Sequence, residues 1–445
     1  MKKKLLVITF CICFSSFHAS AQVNPSATRL KPEPSDWFTG DIHVHRNCGE
    51  GSIILPLDTL SSMMEPNDLD VVSLLADMGN GEVKYSEEDL PRVNGKDAVQ
   101  SKAGRIIRWD AEWHWDATYS QFGHQALGGH LVLLGLKNTH QIWAESPHEI
   151  LQWAKKQNAV TGFAHMEYLN GNIQDTVNCC IPIDYPVEAA LGTIDFVSED
   201  VYGIHTRNDG QYYSEGTINA YYKLLNCGFK LGLAAGTDYP CNYNEPWGSL
   251  LTYVKIPGKK ITYGKWINGI AEGRTVVSRN GHNEFLEMKV NDKAEPGANI
   301  QVKENAKVTI TAKWTATKET PGLIELVRDG KVIATQSGTA KPGEPIILSA
   351  TADFIESGWM CARRMDLSGH HVLHTAPVYV TVNNKPVRAS ADDAQYFVAW
   401  IDNLLKRIEP GGPWNKYFPN DLETVQQNYR KARNIYSRIA AESKK

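Results

Sequence analysis

A change of texture near Glu284 constrains this chain more than any other feature. Before it, short β-rich runs alternate with polar or helical stretches: TGDIHVH, LDVVSLLAD, GRIIRWDAEW, GHLVLLGL, AVTGFAH, TIDFVSED and FKLGLAAGTD. Helical signals lie between some of them. SPHE at Ser146–Glu149 reads as a capping box with proline at the first helical position, ahead of an apolar stripe of Ile150, Leu151 and Ala154. Ser214 through Leu225, stopped at Gly228, reads as another helix. Strands alternating with helices predict an α/β unit with a mainly parallel sheet, and about seven strands in roughly 240 residues come close to a barrel.

After Glu284 the runs VTITAKW, LIELVRDGKVIAT, PIILSATADF and APVYVTVN follow one another with no helical pattern between them, and Asp329-Gly330 marks a hairpin. An all-β sandwich of roughly 100 residues is expected, the size of an immunoglobulin-like module. Ser390 then opens a helix with Tyr396, Phe397, Trp400, Ile401, Leu404 and Leu405 at helical spacing. PGGPW breaks it, and a second amphipathic helix follows Asp421 with Val425, Tyr429, Ala432, Tyr436 and Ile439 along one stripe. The expected division is therefore a leader at 1–21, an α/β barrel-like unit at 22–283, a β-sandwich at 284–386 and C-terminal helices at 387–445.

The leader is read from MKKK, the apolar LLVITFCICF and the small-residue ending SSFHASA. These are the parts of a secretory signal cleaved after Ala21, which implies a periplasmic or secreted protein. The apolar run is shorter than the ~20 residues of a membrane span, so no transmembrane segment is expected. Apolar content of 42% and charged content of 22% over 445 residues fit a globular chain of two or three domains. The net charge of −4 carries no footprint for nucleic acid. Cys48, Cys179, Cys180, Cys227, Cys241 and Cys361 remain after cleavage; their pairing cannot be read from spacing, and buried thiols with at most one bridge are expected.

The chemistry starts at Gly40–Gly51, GDIHVHRNCGEG. In a strand, residues i and i+2 project to one side, so His43 and His45 present two imidazoles together, as a metal ion requires. A bare His-x-His is weak alone. It gains weight because other apolar runs end in titratable groups: Asp77, Glu112, His165 and Asp238. Each singly could be a cap or a solvated loop end. The set has the imidazole and carboxylate composition of a zinc or manganese site.

GDIHVH, the run ending in Asp77, GHLVLLGL, FAH and GTD resemble, in that order, the motifs of the PHP (polymerase and histidinol phosphatase) metallohydrolases. EGRTVVSRNGHNEF at Glu272–Phe285 and DAQYFVAWID near the C-terminus are similar to the secreted CehA/McbA-like branch. The resemblance implies a distorted (β/α)7 PHP-type barrel with divalent metals in its mouth. Carried over by motif, His43, His45, Glu112 and Asp238 would hold one ion. Glu112 would bridge to a second, completed by His130 and His165, with His124 the competing choice for His130. His130 begins its run, so the strand-end argument does not support it; the motif does.

The departures from the family pattern are informative. Where the family has Thr-Asp-His, this chain has Ala76-Asp77-Met78; where it has Gly-Ser-Asp-Ala-His, this chain has Gly236-Thr237-Asp238-Tyr239-Pro240. Both missing histidines belong to a third metal, so the resemblance implies two ions of zinc, manganese or iron. Two cations about 3.5–4 Å apart can turn a bridging water into hydroxide, which suits hydrolysis of a phosphoester or a related ester or carbamate.

Asp41 and Asp77 are expected to orient ligands or the nucleophile. Glu50 falls where the first motif has an acidic group. Arg46 is read either as a contact to an anionic substrate oxygen or as a salt bridge at the rim. Trp113, with Trp109 and Trp115, could stack on substrate or belong to the core, and His205 could face the pocket. His370, His371 and His374 are expected at the surface. No nucleotide-binding glycine pattern occurs. The reading is a metal-dependent hydrolase acting on a small-molecule or glycan-linked substrate. Its alternative is a non-catalytic metal-containing protein that binds carbohydrate or another ligand on a degenerate scaffold.

Overall fold

The computed structural model describes residues 31–46, 55–79, 86–114, 129–142, 144–164, 166, 182–200, 213–241, 247–258 and 260–443. The expectations for the leader, Cys48, Glu50, Trp115, His124, His165, Cys179, Cys180 and His205 lie outside these residues.

The N-terminal strands are β1 (Trp37–His45), β2 (Val71–Gly79), β3 (Ile106–His114), β4 (His130–Leu134), β5 (Val160–Phe163), β6 (Phe196–Asp200), β7 (Gly232–Gly236), β8 (Leu251–Lys255) and β9 (Thr275–Ser278). The C-terminal strands are β10 (Glu284–Val290), β11 (Asn299–Val302), β12 (Ala306–Ala316), β13 (Thr320–Arg328), β14 (Lys331–Ala340), β15 (Ile346–Phe354), β16 (Gly358–Met365), β17 (His371–Thr375) and β18 (Val378–Val382). One 15-stranded sheet runs from β7 through β6, β5, β4, β3, β2, β1, β8 and β9 to β17, β16, β18 and β11, with β13 and β14 branching from β16. A 3-stranded sheet, β10-β12-β15, lies outside that path.

The expected (β/α)7 barrel is not what forms. The protein is mostly β, and its large sheet is mixed. β1, β2 and β3 are parallel, as are β5, β6 and β7, but β4 runs antiparallel to both its neighbours. β8 pairs antiparallel with β1 and β9, and β9 hands the sheet on to β17. The departure is centred on β4: pairing antiparallel with both β3 and β5, it interrupts the all-parallel ladder that a βα repeat builds. Short apolar runs separated by polar segments suit a mixed sheet as well as a βα repeat. The sheet nevertheless curls: Val44 bridges Tyr239 just beyond β7, and the His45 N–H donates to the Tyr239 carbonyl at 2.6 Å.

Two apolar clusters follow from this curvature. On one face Ile42, Val71, Leu75, Ile106, Val132, Leu134 and Phe196 pack beneath Trp266, Ile267 and Ile270 of the helix Tyr263–Ala271. Thr262 caps that helix, its hydroxyl accepting from the Lys265 N–H at 3.3 Å. Each of these aliphatic side chains contributes about 1.5–3 kcal/mol by leaving water. The other face joins a larger core that continues into the β-sandwich. There β12 alternates, burying Val308, Ile310, Ala312 and Trp314 while its intervening residues are more open, as expected of a strand with one wet face.

The helix Pro147–Lys155 starts at Ser146, whose hydroxyl accepts from the His148 N–H at 3.2 Å, and buries Ile150, Leu151 and Ala154. The helices Ala391–Ile408 and Leu422–Glu442 pack on Tyr185–Leu191: Trp400 donates to the Ile183 carbonyl at 2.8 Å, Tyr436 to that of Pro186 at 2.8 Å, and Tyr429 to Asp184 at 2.6 Å. His371 and His374, expected at the surface, are buried because β17 lies inside the long sheet; His374 Nε2 meets the Tyr222 hydroxyl at 2.7 Å. Cys227 and Cys361 are buried thiols, and burial pushes the Cys361 thiol up to about 12.

Candidate metal centre

The side chains of interest gather at one end of the apolar face under Trp266. Alternation selects that face. On β3, Ile106, Asp110 and Glu112 share it; on β4, His130, Val132 and Leu134 share it. His130 reaches the same rim as Glu112 although it begins its strand, because β4 is antiparallel to β3 and pairs His130 with His114. Chain direction, which the strand-end argument does not consider, explains this residue.

β1 reaches the face through a bulge. Its register with β2 is Gly40–Val71 and Asp41–Val72, then Val44–Leu74 and His45–Leu75, so one extra residue enters β1 between Asp41 and Val44. Val71 and Leu75 belong to the inner face, so the bulge turns His43 and His45 inward beside Ile42. Without it the two histidines would follow Asp41 to the opposite side. Bulges re-aim side chains in this way.

His43, His45, Glu112 and Asp238 bring four ligand atoms within 4.8 Å of one another. His43 Nε2 lies 3.0 Å from His45 Nε2, 3.1 Å from Glu112 Oε2 and 3.3 Å from Asp238 Oδ1. His45 Nε2 lies 2.9 Å from Glu112 Oε2 and 3.4 Å from Asp238 Oδ1. Four atoms bound at about 2.1 Å to one ion stand roughly 3.0–3.4 Å apart in octahedral or tetrahedral geometry. The spacings therefore fit a small divalent cation, and the donor set of two imidazoles and two carboxylates suits zinc, manganese or iron.

The histidine donors are oriented for this. His45 Nδ1 lies 3.2 Å from the Leu75 carbonyl, so the proton belongs on Nδ1 and the Nε2 lone pair faces the cluster. Asp77 Oδ1 stands 3.7 Å from the same nitrogen. Burial pushes the His45 imidazole down, but Asp77, Asp238 and Glu112 together hold it well above its ordinary range. The field at this point favours a positive charge.

Glu112 has a second oxygen to give: Oε1 lies 3.1 Å from His130 Nδ1. His43, His45 and Glu112 are 2% exposed or less, and the Asp238 side chain is 13% exposed, so the opening is on the Asp238 side.

Arg46 follows His45 at the rim, and its guanidinium donates to Asp89 at 3.0 Å and to Glu88 at 3.1 Å. The salt-bridge reading of Arg46 is the arrangement present. Trp113 is fully buried and donates to the Ile142 carbonyl at 3.1 Å, so it is a core residue and not a surface for substrate. Gly236, Thr237 and Leu75 also shape the site. Gly236 closes it: a Cβ there would meet His43 Cβ at 2.5 Å. Thr237 stood inside the GTD motif but carried no ligand signal of its own. A second group, Glu33, Asp68 and His282, likewise brings three ligand atoms within 4.8 Å of one another. Lys31 and Arg105 already face Asp68, and both nitrogens of His282 meet other groups, Tyr253 and the Asn67 carbonyl.

No protein-family model matches the chain, and no curated protein matches it. Solved structures similar to parts of it include fibronectin(III)-like modules of Clostridium thermocellum CbhA, at 14% identity over 21% of this chain and 97% of that one, TM-score 0.16. A CARDB domain of the Pyrococcus furiosus PF1109 protein in complex with di-metal ions is similar at 14% identity over 23% of this chain and 94% of that one, TM-score 0.17. CopC from Methylosinus trichosporium OB3b is similar at 17% identity over 23% of this chain and 97% of that one, TM-score 0.15. Likeness this slight bears on neither the metal centre nor its chemistry. Among the described residues no helix is long and apolar enough to cross a membrane.

Proposed function

We propose that this chain is a secreted or periplasmic metal-dependent hydrolase that cleaves a phosphoester or a related ester or carbamate bond. One observation carries the reading: ligand atoms of His43, His45, Glu112 and Asp238 converge at distances of 2.9–3.4 Å, spacings that buried imidazoles and carboxylates adopt around a cation. The ordered motifs similar to PHP metallohydrolases support it, and the leader-like N-terminus supports export.

In this reading His43, His45, Glu112 and Asp238 would hold one divalent ion, and Glu112 with His130, joined by His165 as the resemblance implies, would hold a second. Such ions supply Lewis acidity and lower the pKa of a water bound to them. The chain's own groups do the rest. Leu75 and Asp77 keep the His45 proton on Nδ1. The surrounding apolar residues exclude bulk water and strengthen every charge interaction inside. The Asp238 side, being the more open, admits substrate.

The test is elemental analysis of purified protein beside a panel of chromogenic phosphate, ester and carbamate substrates, with Glu112→Gln as control. Bound divalent metal, with hydrolysis lost on chelation and in the variant, bears the proposal out. Metal-free protein, or a variant with undiminished activity, overturns it. Tightly held metal without turnover across the panel points to the non-catalytic binding reading.

A further inference from the structure

The two halves of the ligand set come from distant parts of the chain. His43 and His45 lie on β1, whereas Asp238 follows β7, and among the described residues the Val44–Tyr239 bridge and the His45 to Tyr239 hydrogen bond link their backbones. Asp238 itself has φ +53°, a left-handed conformation that a non-glycine residue adopts at a cost. Something must hold that residue against relaxation.

Asp41 is placed to do so. It precedes the bulge and lies on the side of β1 opposite the ligand cluster, and its carboxylate is fully buried. It takes three donors: Oδ1 accepts from the His43 N–H at 3.0 Å and the Thr237 N–H at 3.1 Å, and Oδ2 accepts from the Thr237 hydroxyl at 2.6 Å. Thr237 is also fully buried and joins Gly236, the last residue of β7, to Asp238. One carboxylate thus ties the backbone of a β1 histidine to the residue immediately before the fourth ligand.

We infer that Asp41 is a positioning residue which, through Thr237, fixes the separation between the β1 histidines and Asp238 that a divalent ion requires. The inference rests on the metal-site reading above. It touches neither the ion nor the substrate; its effect is to hold the site in the binding geometry before the ion arrives, so that loading requires little rearrangement.

The experiment compares Thr237→Val with Thr237→Ser in full-length protein. Valine matches threonine in shape and removes the hydroxyl donor; serine keeps it. Zinc affinity is measured by titration calorimetry on protein stripped with chelator, and the visible spectrum of the cobalt-substituted protein reports ligand geometry. Thr237→Val is expected to weaken zinc binding by roughly 10–100-fold, the range for partners that orient metal ligands, and to alter the cobalt bands. Thr237→Ser is expected to match the wild type in both. Should Thr237→Val fail to fold, Asp41→Asn provides the second comparison. It keeps an acceptor for the two N–H groups but loses the charged acceptor for the hydroxyl, and is expected to bind zinc more weakly than the wild type. Wild-type affinity and spectrum in the variant that folds overturn the inference, as does a Thr237→Ser protein as impaired as Thr237→Val. Wild-type protein that binds no divalent ion overturns the metal reading itself, and the inference with it.

Discussion

Glu112 and His130 meet across two antiparallel strands, with Glu112 Oε1 3.1 Å from His130 Nδ1 while Glu112 Oε2 lies 2.9 Å from His45 Nε2. The carboxylate therefore faces two sets of nitrogen donors at once. If both sets hold metal, His130→Ala should lower the metal content of the purified protein from two ions per chain to one, whereas Glu112→Gln should impair both sites. A ligand contact should cost more than the roughly 100-fold in affinity lost with an orienting partner. Elemental analysis of the two variants side by side checks this; equal metal content in His130→Ala and wild type would remove His130 from the ligand set.

Arg46 is held by Asp89, whose side chain is 3% exposed, and by the more open Glu88. Removing the guanidinium takes from the buried Asp89 its shorter ion pair and leaves Arg92 3.5 Å away beside it. Arg46→Ala should destabilise the protein by about 1–3 kcal/mol, the range for losing a hydrogen bond to a buried charged group. Thermal unfolding measures it. An unchanged melting temperature with a raised KM would instead make Arg46 a substrate contact.

Gly236 permits β7 to approach β1. A methyl group there would stand 2.5 Å from His43 Cβ and 2.9 Å from the His43 nitrogen, with backbone on one side. Gly236→Ala should lower stability by about 1–3 kcal/mol through overpacking, and metal affinity should fall with it because His43 must move. Denaturant titration and metal titration on the same preparation give both numbers; a fall in neither would mean the strands separate freely at this point.

Asp184 ties the helix Tyr185–Leu191 to the C-terminal helix through the Tyr429 hydroxyl at 2.6 Å. Burial raises its carboxyl from 3.8 to about 7, with Tyr429 drawing it back. The folded state thus keeps a proton that the unfolded chain releases between about pH 4 and 7. Stability from this group is fully present below the unfolded pKa and is lost as pH rises through the folded one, with a slope of up to about 1.4 kcal/mol per pH unit. In Asp184→Asn that slope should vanish. Urea unfolding of both proteins from pH 4 to 8 tests it, and parallel profiles would refute the assignment.

Much of the site was legible because its residues announce themselves by type. An imidazole pair at i and i+2, and apolar runs that end in Glu112 and Asp238, have few reasons to occur in buried strands other than binding a cation. Trp113 was ambiguous because an indole serves core and binding surface equally; burial and the hydrogen bond to Ile142 place it in the core. Arg46 is ambiguous in the sequence because the group that it pairs with, Asp89, lies 43 positions away along the chain.

The sequence by itself determined where many of the strands and helices fall, among them β1 to β7 and the helices begun at Ser146 and Ser390, since periodicity and capping are local; β8 to β11, β16, β17 and the helix Tyr263–Ala271 were not read from it. It also determined which side chains could bind a metal, since that is a matter of donor chemistry. Tertiary structure decided the rest. It made the sheet mixed in place of a helix-wrapped barrel, it turned β4 round so that His130 meets Glu112, and it placed the bulge that aims His43 and His45 inward. Strand direction and register depend on which strands pair across long separations and how the connections return. No short stretch of sequence encodes that, because the same apolar run satisfies a parallel or an antiparallel neighbour equally well.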